Sequence, residues 1–224
     1  MKNEKRALFA GAVICILAVM AFAGVAGVLA TSAFPLEGKE VTKAETTLGN
    51  LAADALREAA DADFALVNAS QMRPIDLPAG PITEEQISSA LAYPDEAVAL
   101  VRLKGSAVVA CLERGLSLLP QPNKGFLQVA GLNVRFDSRL QSGRRVIEVK
   151  AGGGALEADK QYKVAMPLSL ARGAGGYFTI LNGASVTPLE TSLKAAVVSY
   201  LTSHGTASAK SDSPRLEDLS NPSQ

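Results

Sequence analysis

The chain is poor in the residues on which most metal and disulfide chemistry depends. Its 224 residues include one histidine, His204, two cysteines, Cys15 and Cys111, and no tryptophan. One imidazole and two thiols exclude a histidine-rich metal site, a thiolate zinc site and a disulfide framework. Neither sign of charge is in excess, since 22 Lys and Arg offset 22 Asp and Glu. No basic face for nucleic acid is therefore expected. At 48% hydrophobic, the chain also lacks the aliphatic poverty and net charge of a disordered one. Its length suits one domain with a tail or an anchor.

The N-terminus carries the first positive signal. Lys2, Lys5 and Arg6 precede an uncharged apolar run from Ala7 to Ala30. About 20 apolar residues suffice to cross a bilayer as a helix, and the basic flank would stay cytoplasmic. Residues 1–33 are therefore expected to be a signal anchor or a signal peptide. The length of the run favours the anchor, because a secretory apolar region spans about 7–15 residues. Val28-Leu29-Ala30 and Thr31-Ser32-Ala33 offer small residues for cleavage. Under both readings the rest of the chain is extracytoplasmic, either membrane-bound or secreted.

Beyond a linker at 34–41, helices and strands mix without regular alternation. Leu48, Leu51, Ala52, Ala55, Leu56 and Ala59 have helical spacing. The 62–68 run reads as a strand. Thr83 and Gln86 have capping-box spacing, with Ile82 and Ile87 placed as a hydrophobic staple. The 97–103 run predicts a strand, and Ser106 is expected to cap a helix stopping near Gly115. Further strands are expected at 126–129, 132–136, 146–149 and 162–166. Thr187, Pro188 and Glu190 have the pattern of a helix start. Ser, Ala, Pro, Asp and Lys dominate from His204 onward, which predicts a disordered tail over 204–224. The fold class is α+β, a mixed sheet with antiparallel hairpins and packed helices, in one domain over 42–203.

Several segments, read in order, resemble the C-terminal domain of 5′-nucleotidases. Thr47-Leu48-Gly49-Asn50-Leu51 with Asp54 is similar to that family's T-x-G-N-L-x-x-D. Asn68 to Arg73 stands where the family has N-G-G-G-I-R. Leu103-Lys104-Gly105-Ser106 with Leu112 to Gly115 is similar to its L-x-G helix segment. Phe126 to Leu132 resembles F-x-Q-V-S-G-L, and Arg145-Val146 the later R-V. Asp159 to Tyr162 and Gly173 to Tyr177 resemble D-x-x-K-x-Y and G-G-D-G-Y. The resemblance spans about Thr42 to Leu201.

The resemblance implies a recognition role, because in the family a separate N-terminal metallophosphatase domain holds two metals and cuts the ester. One histidine cannot build such a two-metal cluster, so no metal, no cofactor and no catalytic residue are expected here. Arg73 matches a phosphate-contacting arginine. Among the family's earlier phosphate arginines, this chain has Thr42 and Ala44 with only Lys43 between. The two phenylalanines that sandwich the base become Pro94 and Ser169, and the ribose-binding Asp becomes Gly175.

Each candidate has a plainer reading. Arg73 either forks onto phosphate or bonds loop carbonyls, and Asn68 serves a ligand or the following loop. Gly173, Gly175 and Gly176 form either an anion nest or a tight turn. Cys111 reads as a buried small hydrophobe, His204 as solvated tail, and Asp61 and Asp63 as turn residues. Three functions follow. The domain binds a small phosphorylated ligand without catalysis of its own, serves a separate metallophosphatase chain as its recognition half, or is an interaction module with a filled cleft.

Overall fold

Apolar patterning, capping and turn residues assemble two main sheets, described by a computed structural model for residues 27–207 and 214–220. In chain order the elements are β1 (Val28–Ser32), α1 (Thr47–Ala59), β2 (Phe64–Asn68), β3 (Gly80–Thr83), α2 (Glu84–Ala90), β4 (Ala97–Lys104) and α3 (Gly105–Leu116). There follow β5 (Leu127–Ala130), β6 (Leu132–Phe136), β7 (Val146–Ala151), β8 (Gly154–Ala155) and β9 (Gln161–Pro167). The chain closes with α4 (Leu168–Ala171), α5 (Phe178–Leu181), β10 (Ser185–Ser192), α6 (Leu193–His204) and β11 (Leu216–Asp218).

The central sheet has the order β10-β4-β9-β2-β5. Only β2 and β9 run parallel, and the remaining neighbours are antiparallel, so the sheet is mixed as the α+β reading expects. All five residues of β2 are buried, which explains its unbroken apolar run: both faces of the strand are covered. Helix α1 lies against β2, β5 and α6 through Leu48, Leu51, Ala52, Ala55 and Leu56. A second sheet has the order β11-β6-β7-β8. β6 alternates Leu132, Val134 and Phe136 inward with Asn133 and Arg135 outward, the pattern of a one-sided sheet.

The capping box forms as spaced. Thr83 Oγ1 accepts from the Gln86 amide, Gln86 Oε1 accepts from the Thr83 amide, and Ile82 and Ile87 are both buried.

Five boundaries differ from expectation. Ser106 does not cap α3 but lies in its first turn, because the helix starts at Gly105 with Lys104 at the cap position. Val28–Ser32, placed in the anchor by its apolarity, is strand β1 antiparallel to β3. Ala30 and Ser32 are buried, and Thr31 exchanges backbone bonds with Gly205 and Ala207 just beyond α6. The expected 34–41 linker is tied into the fold, with Leu36 buried and paired to Leu77. Thr187 to Glu190 belong to β10, and the helix starts at Leu193 under a Ser192 cap. The tail is not wholly solvated: His204 ends α6, and Leu216–Asp218 pairs in parallel with β6.

Among the described residues no helix is long and apolar enough to cross a membrane. The apolar run before Gly27 lies outside the described residues.

Candidate functional site

The carboxyl ends of parallel β2 and β9 and the start of β4 collect the polar residues of interest. The chain leaves β2 at Asn68 and makes a 3-10 turn over 69–71. Ala69 and Ser70 donate to the Phe126 and Lys124 carbonyls at 2.8 and 2.9 Å. On the other side the Arg73 amide donates to Ala90 and the Ala92 amide to Gln71, each at 2.8 Å. The loop is pinned along both edges, so its side chains start from a fixed backbone.

Two amide side chains in this loop are buried, Asn68 and Gln71. Asn68 Nδ2 donates to Ser70 Oγ, and Gln71 Nε2 donates to Ser169 Oγ at 3.2 Å. Ser169 is itself fixed by its amide, which donates to Glu96 Oε1 at 2.7 Å. Among the described residues Asn68 Oδ1 and Gln71 Oε1 are buried without a hydrogen-bond partner, a condition shared by Asn50 Oδ1 on α1. An unpaired buried acceptor costs about 1–3 kcal/mol, so a structure that keeps two within four residues calls for an explanation.

Arg73 is exposed, and among the described residues its guanidinium makes no hydrogen bond or ion pair. It does not bond the loop carbonyls. The turn at 93–96 carries Pro94 and presents Tyr93, which is 59% exposed. This turn is held by α6, whose Leu193 and Lys194 amides donate to the Glu96 and Pro94 carbonyls. Asn68, Arg73, Pro94 and Ser169 therefore belong to one end of the sheet. Gln71, Tyr93 and Glu96 complete the group. Sequence reasoning passed over these three, although Tyr93 precedes the expected ring position by one residue.

Gly173, Gly175 and Gly176 form a turn with φ of 92°, 72° and 87°. Its carbonyls face a cation: Arg114 Nη2 donates to Gly175 O at 2.7 Å and Nε to Gly176 O at 3.3 Å. A Cβ on Gly173 would lie 2.4 Å from Phe178 Cα, and one on Gly176 2.6 Å from Arg114 Nη2. Backbone geometry thus accounts for these glycines. The turn also seats Tyr177, a buried phenol whose hydroxyl donates to Gly125 O. Burial pushes its pKa up. The glycine turn and the Asn68 loop share the Asn123–Phe126 strip as a neighbour.

The other motif residues are scaffold. Gln128 Oε1 accepts from the Thr46 amide at 2.9 Å, and its Nε2 donates to Val41 and Ala44 carbonyls at 3.2 and 2.8 Å. Gly49 makes room for it, since a Cβ there would sit 2.3 Å from Gln128 Oε1. Glu113 accepts from the Arg145 and Val146 amides, while the buried Arg145 side chain donates to Leu116 and Leu140 carbonyls. Lys43, where the resemblance places phosphate-binding cations, pairs with Glu40 at 2.7 Å. Cys111 is buried, which raises its thiol pKa to about 12. Asp61 and Asp63 are surface groups, both engaged with Lys163. Among the described residues no three His, Cys, Asp or Glu side chains converge on a metal position.

This fold and motif order match the 5′-nucleotidase C-terminal domain family over residues 24–183, and the chain belongs to that family. It is 32% identical over 162 residues to the snake venom 5′-nucleotidase of Macrovipera lebetinus, covering 63% of this chain and 40% of the relative. It is 30% identical over 148 residues to the trifunctional nucleotide phosphoesterase protein YfkN of Bacillus subtilis, covering 62% of this chain and 10% of that protein. Among solved structures it resembles the 5′-nucleotidase precursor from Thermus thermophilus, with a TM-score of 0.78 and 30% identity over 87% of this chain. It covers 40% of that structure. Haemophilus influenzae NAD nucleotidase shares the fold, at a TM-score of 0.75 and 16% identity. The chain therefore spans well under half the length of these relatives.

Proposed function

We propose that this chain is an extracytoplasmic recognition domain that binds a small phosphorylated ligand and has no hydrolytic activity of its own. One observation carries the reading: the Asn68–Arg73 loop holds two buried, unpaired amide oxygens and an unpartnered guanidinium within six residues. The oxygens suit hydroxyl or amino donors, and the guanidinium suits a phosphate. Family membership makes nucleotides the first class to test. Tyr93 offers one exposed ring, where the family resemblance implies two, so base stacking is one-sided and worth about 1–3 kcal/mol.

Calorimetric titration with nucleoside monophosphates and sugar phosphates tests this. Binding is expected in the weak range and falls about tenfold or more in Arg73→Ala. Silence across the panel would remove the ligand reading and leave the polar Gln71–Ser169–Glu96 network as a filled cleft serving protein contact.

A second reading is supported by family membership: the domain serves as the recognition half of a nucleotide phosphohydrolase whose metallophosphatase is a separate chain. Mixing it with a separate metallophosphatase chain, divalent metal and nucleotide is then expected to raise phosphate release above that of the phosphatase alone.

For location, we infer an uncleaved anchor. Cleavage after Ala30 or Ala33 would sever or remove β1, whereas Ala7–Gly27 still supplies 21 residues, enough for about 30 Å of hydrocarbon. The expected result is a full-mass protein that resists alkaline extraction from membranes. A mature form starting at Thr31 or Phe34 would overturn it.

A further inference from the structure

Residues Pro214–Ser220 lie along α1 and β6, beyond the segment that matches the family. Every residue from Arg215 to Asp218 is recognised by something specific. Arg215 forks onto Asp54, with Nη1 to Oδ1 at 2.9 Å and Nη2 to Oδ2 at 2.7 Å, and Nη1 also donates to Val129 O at 2.9 Å. Both side chains of this pair are mostly buried, at 18% and 16% exposure. Glu45 Oε2 accepts from the Arg215 and Leu216 amides at 2.6 and 2.9 Å. Leu216 is buried, and Glu217 pairs with Arg135 at 3.0 Å. Asp218 Oδ1 accepts from the Ser138 and Ser220 amides. Along the backbone, Val134 donates to Arg215 O and Leu219 donates to Phe136 O, each at 2.7 Å.

This is how a sheet edge reads an extended peptide: ladder bonds supply affinity and side-chain slots supply selectivity. The β6 edge is otherwise an open strand, since its other neighbour is β7, and open edges invite pairing with another chain. The slots are built from the domain, not from the residues that lead into the tail, so they are indifferent to which copy supplies the segment.

We propose that the α1–β6 groove is a recognition site for an extended Arg-Leu-x-Asp segment, filled here by the chain's own residues 214–220 and exchangeable with those of a second copy. Exchange of an identical element is a low-cost route to a dimer. The tethered tail competes at an effective concentration on the order of millimolar, so exchange needs a crowded setting or a weakened internal partner.

The test uses two full-length variants, each broken on one side. R215A disarms the tail and keeps the groove; D54N disarms the groove and keeps the tail. Each alone is expected to be monomeric by native mass spectrometry, and their mixture to give a 1:1 heterodimer. A labelled peptide of residues 214–220 is expected to bind R215A with saturation. The same peptide with alanine for its arginine should bind roughly thirtyfold more weakly. Wild-type chain should bind the labelled peptide more weakly than R215A does. An R215A chain with native circular dichroism that binds no peptide at millimolar concentration would overturn the recognition site. Peptide binding without a heterodimer in the mixture would overturn the second copy as its occupant.

Discussion

Gln128 and Asn68 are buried amides on adjacent, paired strands, yet they are treated differently. Gln128 spends its oxygen and both donors on the loop at 41–46. Asn68, one register position away across the β2–β5 pair, keeps its oxygen unbonded, as does Gln71 three residues on. The first is an amide that builds; the other two are amides that wait. The same division runs through the motifs: Gly49, Glu113, Arg145 and Tyr177 serve the scaffold, Asn50 keeps one unbonded oxygen while its amide nitrogen bonds Glu45, and among the described residues the 68–73 loop gathers two such oxygens beside an unpaired guanidinium.

Substitution can break that contrast. Gln128→Leu strands the Thr46 amide and the Val41 and Ala44 carbonyls in the interior, and should cost about 4 kcal/mol in urea unfolding. Removal of residues 1–33 takes away β1 and the buried Ala30 and Ser32, with an expected loss of about 3 kcal/mol. Gln71→Met removes an unpaired oxygen together with one bond to Ser169, so stability should shift by no more than about 1 kcal/mol. Its ligand affinity should nonetheless fall about tenfold by titration. A Gln71 variant as destabilised as the Gln128 variant would show that both amides are structural. The smallest effect is expected at Cys111. With its thiol buried and its pKa at about 12, its tryptic peptide should remain unalkylated at pH 8 until denaturant is added.

The helix at 84–90 was legible because its signals are local: a Thr83–Gln86 box and an Ile82–Ile87 staple need only a handful of neighbouring residues. Thr187, Pro188 and Glu190 carry equally good local signals and mislead, because pairing with β4 overrides them. Pro188 is tolerated there since β10 is an edge strand whose register breaks just after it. β1 was hidden by its apolarity, which merges with the run before it. The Arg215–Asp54 pair joins residues 161 positions apart, a separation at which composition and periodicity are blind. Asn68 and Arg73 could be named from the family pattern. That Asn68 and Gln71 have spare acceptors could not, since spare capacity depends on what the fold leaves unfilled.

The position of β1 has a mechanical corollary for an anchored protein. With β1 starting at Val28 and fixed to β3, the anchor proposed above would leave no room for a stalk between lipid and domain. A domain so mounted could neither rise from the bilayer nor swivel freely. It would sample neighbours by lateral diffusion, and whatever it meets would need to stand at the same height above the lipid.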